Sequence, residues 1–160
     1  MPLPLSKNKF TRFLCDAKRA TYASQDGSMV VTPLLNGSHQ LEFRQGSLFY
    51  RDVYYGGDFF IGQETVYFQG TPLWGMCYAG GLNTGLDAAE SPGIYDFLGV
   101  ALRAVPQSAP FRGPENLDQG TFRYTNRILG TFERFSGVET ITYQATPVYQ
   151  LHYSGGLIRE

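Results

Sequence analysis

The sequence predicts a single α+β domain over residues 1–160, built from two pseudo-repeats at about 7–82 and 92–157. Each pseudo-repeat is a helix followed by antiparallel strands, with the helices packed on the antiparallel sheet system. Three observations predict this. Glycine is abundant, 19 of 160 residues, and aromatic residues make up 15%, a combination that favours strands joined by tight turns. Two apolar stripes recur at helical spacing, one near the N-terminus and one after residue 92. The third observation is that the chain resembles itself. Gly62 to Leu82 reads GQETVYFQGTPLWGMCYAGGL and Gly137 to Leu157 reads GVETITYQATPVYQLHYSGGL, ten identities in 21 positions at an offset of 75 without a gap. Several differences exchange like for like, among them Val66 with Ile141 and Trp74 with Tyr149. A weaker match pairs Phe13, Leu14, Ala17, Arg19 and Ala20 with Phe97, Leu98, Ala101, Arg103 and Ala104.

The elements follow in order. Phe10, Phe13, Leu14 and Ala17 predict a helix over about 7–22, broken by Gln25-Asp26-Gly27. Leu41 and Phe43 alternate with polar residues, Gln45-Gly46 is a turn, and Leu48–Tyr55 is a strand. Gly56-Gly57 turns into Phe59–Gln69, and a turn near Gly70 leads to Thr71–Ala79. Residues 80–91 form a polar connection between the halves. Ser91-Pro92 opens the second helix, whose stripe is Ile94, Phe97, Leu98, Ala101, Leu102 and Val105, with Pro106 beyond its end. A second polar connection, 106–119, precedes strands at about 120–125, 127–136, 138–144 and 146–154.

Composition excludes several function classes. Thirteen Lys+Arg against fourteen Asp+Glu rule out a globally basic nucleic-acid coat, and direct nucleic-acid binding is not expected. The first twenty residues are locally basic, with Lys7, Lys9, Arg12, Lys18 and Arg19, which reads chiefly as a solvated helix face. No run approaches the roughly 18 apolar residues needed to span a bilayer, and no signal-peptide core opens the chain, so a cytoplasmic location and no membrane contact are expected. Cys15 and Cys77 lie far apart with no metal-ligand spacing and read as free, buried thiols. His39 and His152 are isolated, and no cofactor or metal motif is present, so none is expected.

Period-two alternation selects the candidate site residues. Glu64 shares a strand face with Val66 and Phe68, and Glu139 with Ile141 and Tyr143, so each repeat carries one carboxylate on an apolar face. A buried carboxylate needs a partner. That partner is either a backbone amide or an arginine such as Arg19 or Arg103, or the two carboxylates line one pocket at a pseudo-twofold axis and hold a ligand or do acid–base work. Gly62 and Gly137 are candidate bulges. Tyr50, Asp52 and Tyr54 share a face that suits a pocket or a solvated strand equally, while Arg51 lies on the opposite face. Trp74 and Tyr149 head equivalent faces of the last strands. The expected ligand-binding set is therefore Glu64, Glu139, Tyr50, Asp52, Trp74 and Tyr149.

The segments Gly37-Ser38-His39-Gln40-Leu41-Glu42, Leu48-Phe49-Tyr50-Arg51-Asp52, Gly62-Gln63-Glu64-Thr65-Val66 and Trp74-Gly75-Met76-Cys77-Tyr78 resemble an uncharacterised prokaryotic family, domain of unknown function 5680, from about Phe10 to the C-terminus. Members of that family stand alone or follow a helix-turn-helix of the Xre/Cro type. With no room for such a domain before Phe10, this chain is expected to be the stand-alone form. The resemblance implies no activity and no catalytic residues; its association with repressor-type domains implies a sensory or interaction role. The leading expectation is a small-molecule-binding or sensory and regulatory module. The alternatives are an enzyme using Glu64 or Glu139, and an immunity- or antitoxin-like module that meets a protein partner or a second copy of itself.

Overall fold

The computed structural model describes residues 4–22, 29–86 and 93–159. Its elements are α1 (Lys7–Thr21), β1 (Val30–Val31), β2 (His39–Gln45), β3 (Leu48–Gly56), β4 (Phe59–Phe68), β5 (Thr71–Leu82), α2 (Ile94–Arg103), β6 (Asn116–Gln119), β7 (Phe122–Thr131), β8 (Arg134–Tyr143) and β9 (Thr146–Leu157). The strands form one antiparallel sheet in the order β1-β2-β3-β4-β5-β9-β8-β7-β6. Two helices and this sheet make the α+β fold.

Helix α1 begins where Ser6 accepts the Lys9 amide on its hydroxyl and ends with Lys18 and Arg19 in the last turn, both favourable terminal arrangements. The predicted breaker Gln25-Asp26-Gly27 and the predicted opening of the second helix, Ser91-Pro92, lie outside the described residues. Gly93, at φ 92°, stands at the start of α2 without a side-chain cap. The two helices are clipped together at their ends: Arg19 donates to the carbonyls of Arg103 (3.2 Å) and Val105 (3.0 Å). Ring contacts tie α1 to β2 through the tilted pair Phe13–Phe43 and to the β7–β8 turn through the edge-on pair Phe10–Phe132, and α2 to β7 through the stacked pair Phe97–Phe122.

Strand boundaries in the second half depart from the sequence reading. The expected strand at 120–125 begins on the β6–β7 turn at Gly120, the break expected after it falls inside β7, and the expected strand at 127–136 runs across the β7–β8 turn at Phe132-Glu133. The second turn itself contains neither Gly nor Pro, although Gly130 (φ 92°) stands just before it as Gly56 (φ 97°) does before the β3–β4 turn, and Phe132 is buried rather than exposed at the tip. The last four residues of the presumed connection 106–119 are β6, and β1 had no sequence signal. Strands β5 and β9 also run through their Gly-Gly pairs to Leu82 and Leu157. A Cβ on Gly80 would fall on the β9 backbone at Gln150-Leu151, and one on Gly155 on the β5 backbone at Gly75-Met76, so these glycines permit close strand approach inside the sheet.

The register is symmetric under a shift of 75. Tyr78 pairs with Tyr153, while Trp74↔Leu157 and Leu82↔Tyr149 exchange into each other. Register breaks follow Val66 and Ile141, which correct the expected bulges at Gly62 and Gly137. Those two glycines instead leave room for rings, since a Cβ would fall on the Tyr78 phenol at Gly62 and on the Tyr153 phenol at Gly137. The Leu82 amide bonds the Asp58 carbonyl, and the Leu157 amide bonds the Glu133 carbonyl.

The core lies on the helix-facing side of the sheet, where Trp74, Tyr50, Met76, Ile141 and Leu151 meet Phe10, Phe13 and Leu14 of α1. Full burial of each such side chain stabilises the fold by about 1.5–3 kcal/mol. On the other side of the sheet Ile61 and Leu129 are exposed, and so is Cys77, contrary to the expectation of two buried thiols. Cys15 is buried, and burial raises its thiol pKa. No helix among the described residues is long and apolar enough to cross a membrane.

A cavity over a buried charge cluster

The inner faces of β3, β4 and β5 place Tyr50, Asp52, Glu64, Val66, Trp74, Met76 and Tyr78 side by side, with Asp52 directly opposite Glu64. Alternation puts all of them on the face the helices cover. Lys18 of α1 reaches down to Glu64, its ammonium 2.5 Å from the carboxylate. The Tyr22 hydroxyl, just beyond α1, donates to the other Glu64 oxygen. Tyr78 donates to Asp52 Oδ1 at 2.7 Å.

The second half builds a parallel arrangement with different chemistry. Glu139 accepts Arg112 through Nε (3.1 Å) and Nη2 (2.6 Å), Tyr124 at 2.6 Å and Tyr149 at 2.8 Å. Tyr153 donates to Asn126 at 2.6 Å, as Tyr78 does to Asp52. The partners proposed from sequence, Arg19 and Arg103, do not reach the carboxylates; Lys18 and Arg112 do. Arg19 is bonded to the α2 end, and sequence gives no sign that the 106–119 connection sends an arginine inward. The solvated-face reading of α1 holds for Lys7, Lys9 and Arg12 but fails for Lys18, which lies one turn beyond Leu14 on the apolar stripe.

The cluster holds three carboxylates and two cations, and all five groups are essentially solvent-free. Burial, reinforced by the adjacent Glu64 charge, raises Asp52 to a pKa of about 7, against the opposing Tyr78 hydrogen bond and the Lys18 charge. Burial lowers Lys18, against the pull of Glu64. Burial and the neighbouring carboxylates hold Tyr22, Tyr50 and Tyr78 well above the usual phenol range, so they remain donors. Burial opposes the Arg112 charge, yet Glu139 outweighs it and keeps the guanidinium protonated.

Above this cluster is a cavity of about 510 Å³. Its walls include Leu41, Tyr54, Phe60, Tyr95, Leu98 and Leu102, and its polar lining includes Tyr22, Tyr78 and Arg112. Each of those three polar residues is backed by one carboxylate: Tyr22 by Glu64, Tyr78 by Asp52 and Arg112 by Glu139. The arginine also lies over the rings of Tyr22 (5.3 Å) and Tyr78 (5.7 Å). Among the described residues, Arg112 Nη1, Asp52 Oδ2, the Tyr50 hydroxyl and Trp74 Nε1 are buried without a hydrogen-bond partner.

The six residues singled out from sequence are all buried on this face, but none lines the cavity. Glu64, Glu139 and Asp52 form the layer behind it. Trp74 stacks on Phe132 and Phe135 with Lys18 over its ring, and Tyr149 meets Tyr95 of α2 edge-on. The cavity-facing residues Tyr22, Tyr78, Tyr95 and Arg112 escaped the sequence reading. Tyr78 shares the face of Trp74 and Met76 and was visible there; Arg112 was not.

A family model described as Domain of unknown function (DUF5680) matches residues 52–158, and the chain belongs to this family. No curated protein and no solved structure matches it.

Proposed function

Starting from that membership, we propose that the chain is a small-molecule-binding module with a sensory or regulatory role, formed by duplication of a unit of one helix and four strands. The single observation that carries the binding reading is the cavity of about 510 Å³, apolar-walled, with three polar groups each positioned by a buried carboxylate. Ligand sites are commonly of this size and pattern, largely apolar with a few fixed polar groups. The duplication reading is supported by the ten identities at offset 75 and by the register that exchanges Trp74↔Leu157 with Leu82↔Tyr149. Free Cys15 and Cys77 suit a reducing, cytoplasmic setting.

A thermal-shift screen of metabolite classes tests the binding reading. A subset of apolar compounds is expected to raise Tm, and Leu102→Trp, which fills the cavity, is expected to abolish those shifts. A blank screen, or shifts that survive the filled cavity, would overturn it.

One observation favours an enzyme as the second reading. Asp52, at a pKa of about 7 and bonded to the cavity-lining Tyr78, is suited to relay a proton at neutral pH. On this reading the acid–base group is Asp52 acting through Tyr78, with Glu64 and Glu139 holding the cations in place. Turnover of a bound compound, with a pH profile that moves in Asp52→Asn, would separate the enzyme from the binding module.

A further inference from the structure

We propose that the ligand of this cavity is a carboxylic acid with a flat apolar body, its carboxylate seated on the Arg112 guanidinium. The proposal rests on the binding-module reading above. Arg112 lines the cavity, is 1% exposed, and directs Nε and Nη2 to Glu139, leaving Nη1 without a partner among the described residues. A buried guanidinium N–H without an acceptor is costly, and a carboxylate oxygen is the acceptor that best matches it. The guanidinium lies over the rings of Tyr22 and Tyr78, which hold it in place before any ligand arrives. The Tyr22 and Tyr78 protons are committed to Glu64 and Asp52, so Arg112 is the free donor on this floor. Facing it, Tyr54, Phe60, Tyr95, Leu98 and Leu102 offer ring faces and branched alkyl groups to a flat body. A cationic ligand would meet the buried Arg112 as a like charge, and the exposed Asp58 that also lines the cavity is screened by solvent and offsets this only weakly.

The charge count adds a pH signature. A bound carboxylate brings a fourth anion to a cluster of three carboxylates and two cations. Asp52 is the member able to take up a proton near neutrality. It faces Glu64 from β4, Tyr78 from β5, Tyr50 and Tyr54 on its own strand, Lys18 of α1 and Tyr22 beyond it. Binding therefore draws a proton onto Asp52, and affinity falls by up to about tenfold per pH unit above neutrality.

Isothermal titration of the full chain with 2-naphthoate, 2-naphthalenemethanol and 2-naphthylmethylammonium, at pH 6.5 and 8.5, tests this. The acid is expected to bind at least tenfold more tightly than the alcohol at pH 6.5, with a narrower margin at pH 8.5, and the ammonium compound weakest. Arg112→Lys is expected to cost the acid tenfold or more and to shrink its advantage over the alcohol; if that variant does not fold, the comparison of the three compounds on the natural chain decides alone. Equal or tighter binding of the alcohol or the ammonium compound overturns the acid class and leaves the cavity reading standing. Failure of all three while other compounds pass the thermal-shift screen also overturns the acid class. Failure of all three beside a blank screen overturns the binding module itself.

Discussion

Asp52→Asn is the perturbation that isolates the buried charge cluster. The folded chain keeps the Asp52 proton up to a pKa of about 7, whereas the unfolded chain releases it near the ordinary 3.8. Between those values the folded state binds more protons than the unfolded state, so stability falls as pH rises through that window and levels off above it. Each unit of difference is worth about 1.4 kcal/mol, so the cost of holding Asp52 in the fold rises by about 3 kcal/mol between pH 5 and pH 8.5. Asparagine removes that cost and can still accept the Tyr78 hydroxyl, as Asn126 accepts Tyr153 in the other half. It adds one orphan amine, because Oδ2 has no partner where Asn126 finds the Gly113 carbonyl; that costs about 1–3 kcal/mol at every pH. The difference between the two pH values is free of that constant. Asp52→Asn is therefore expected to gain about 3 kcal/mol relative to the natural chain on going from pH 5 to pH 8.5. Urea denaturation at the two pH values measures it. A stability difference that does not change with pH would refute the reasoning, as would a carboxyl carbon titrating near 4 by NMR in the folded chain.

Four further outcomes are expected. Glu139→Gln leaves Arg112 as a buried cation without its counter-charge and should destabilise by about 3–5 kcal/mol in denaturant titrations, against under about 1 kcal/mol for disrupting the exposed Lys7–Glu133 pair. Gly62→Ala should push the Tyr78 ring off Asp52, and Gly137→Ala the Tyr153 ring off Asn126; the first should shift the Asp52 titration and the second should not, which NMR of the carboxyl resolves. Trp74→Ala empties a fully buried site between Phe132, Phe135 and Lys18 and should cost about 3–5 kcal/mol by chemical denaturation. Ala145 sits at φ 64° where the equivalent hairpin has Gly70 at 85°, so Ala145→Gly should raise stability by about 0.5–1 kcal/mol, measured as a shift in the denaturation midpoint.

Much of this architecture was legible residue by residue. The stripe Phe10, Phe13, Leu14, Ala17 marks α1, and Gly46, Gly56 and Gly70 mark three hairpin turns, because helical periodicity and left-handed turn residues are local properties. The β7–β8 turn at Phe132-Glu133 was missed although Gly130 flanks it as Gly56 flanks the β3–β4 turn, and carrying the offset of 75 from Asp58 locates it at Glu133. Strand alternation alone put Glu64 and Glu139 on apolar faces and Tyr50 beside Asp52, since a side chain's side of a sheet follows from its parity along the strand, but it left open whether Tyr50 and Asp52 faced a pocket or solvent.

What alternation could not supply is who meets those carboxylates. Lys18 lies 46 residues from Glu64 and Arg112 lies 27 from Glu139, the first on a helix that read as solvated and the second in a stretch that read as a plain connection. Their pairing depends on where α1 and the 106–119 segment settle over the sheet, and that is decided by the packing of the whole core. The same packing makes Tyr22, Tyr78 and Arg112 the cavity's polar floor and raises Asp52, because desolvation and the spacing of charges are properties of the assembled interior. The sequence by itself determined the two helices, most of the strands and the internal likeness of the two halves. Only the tertiary structure decided the ion pairs, the cavity above them and the protonation of the carboxylate beneath.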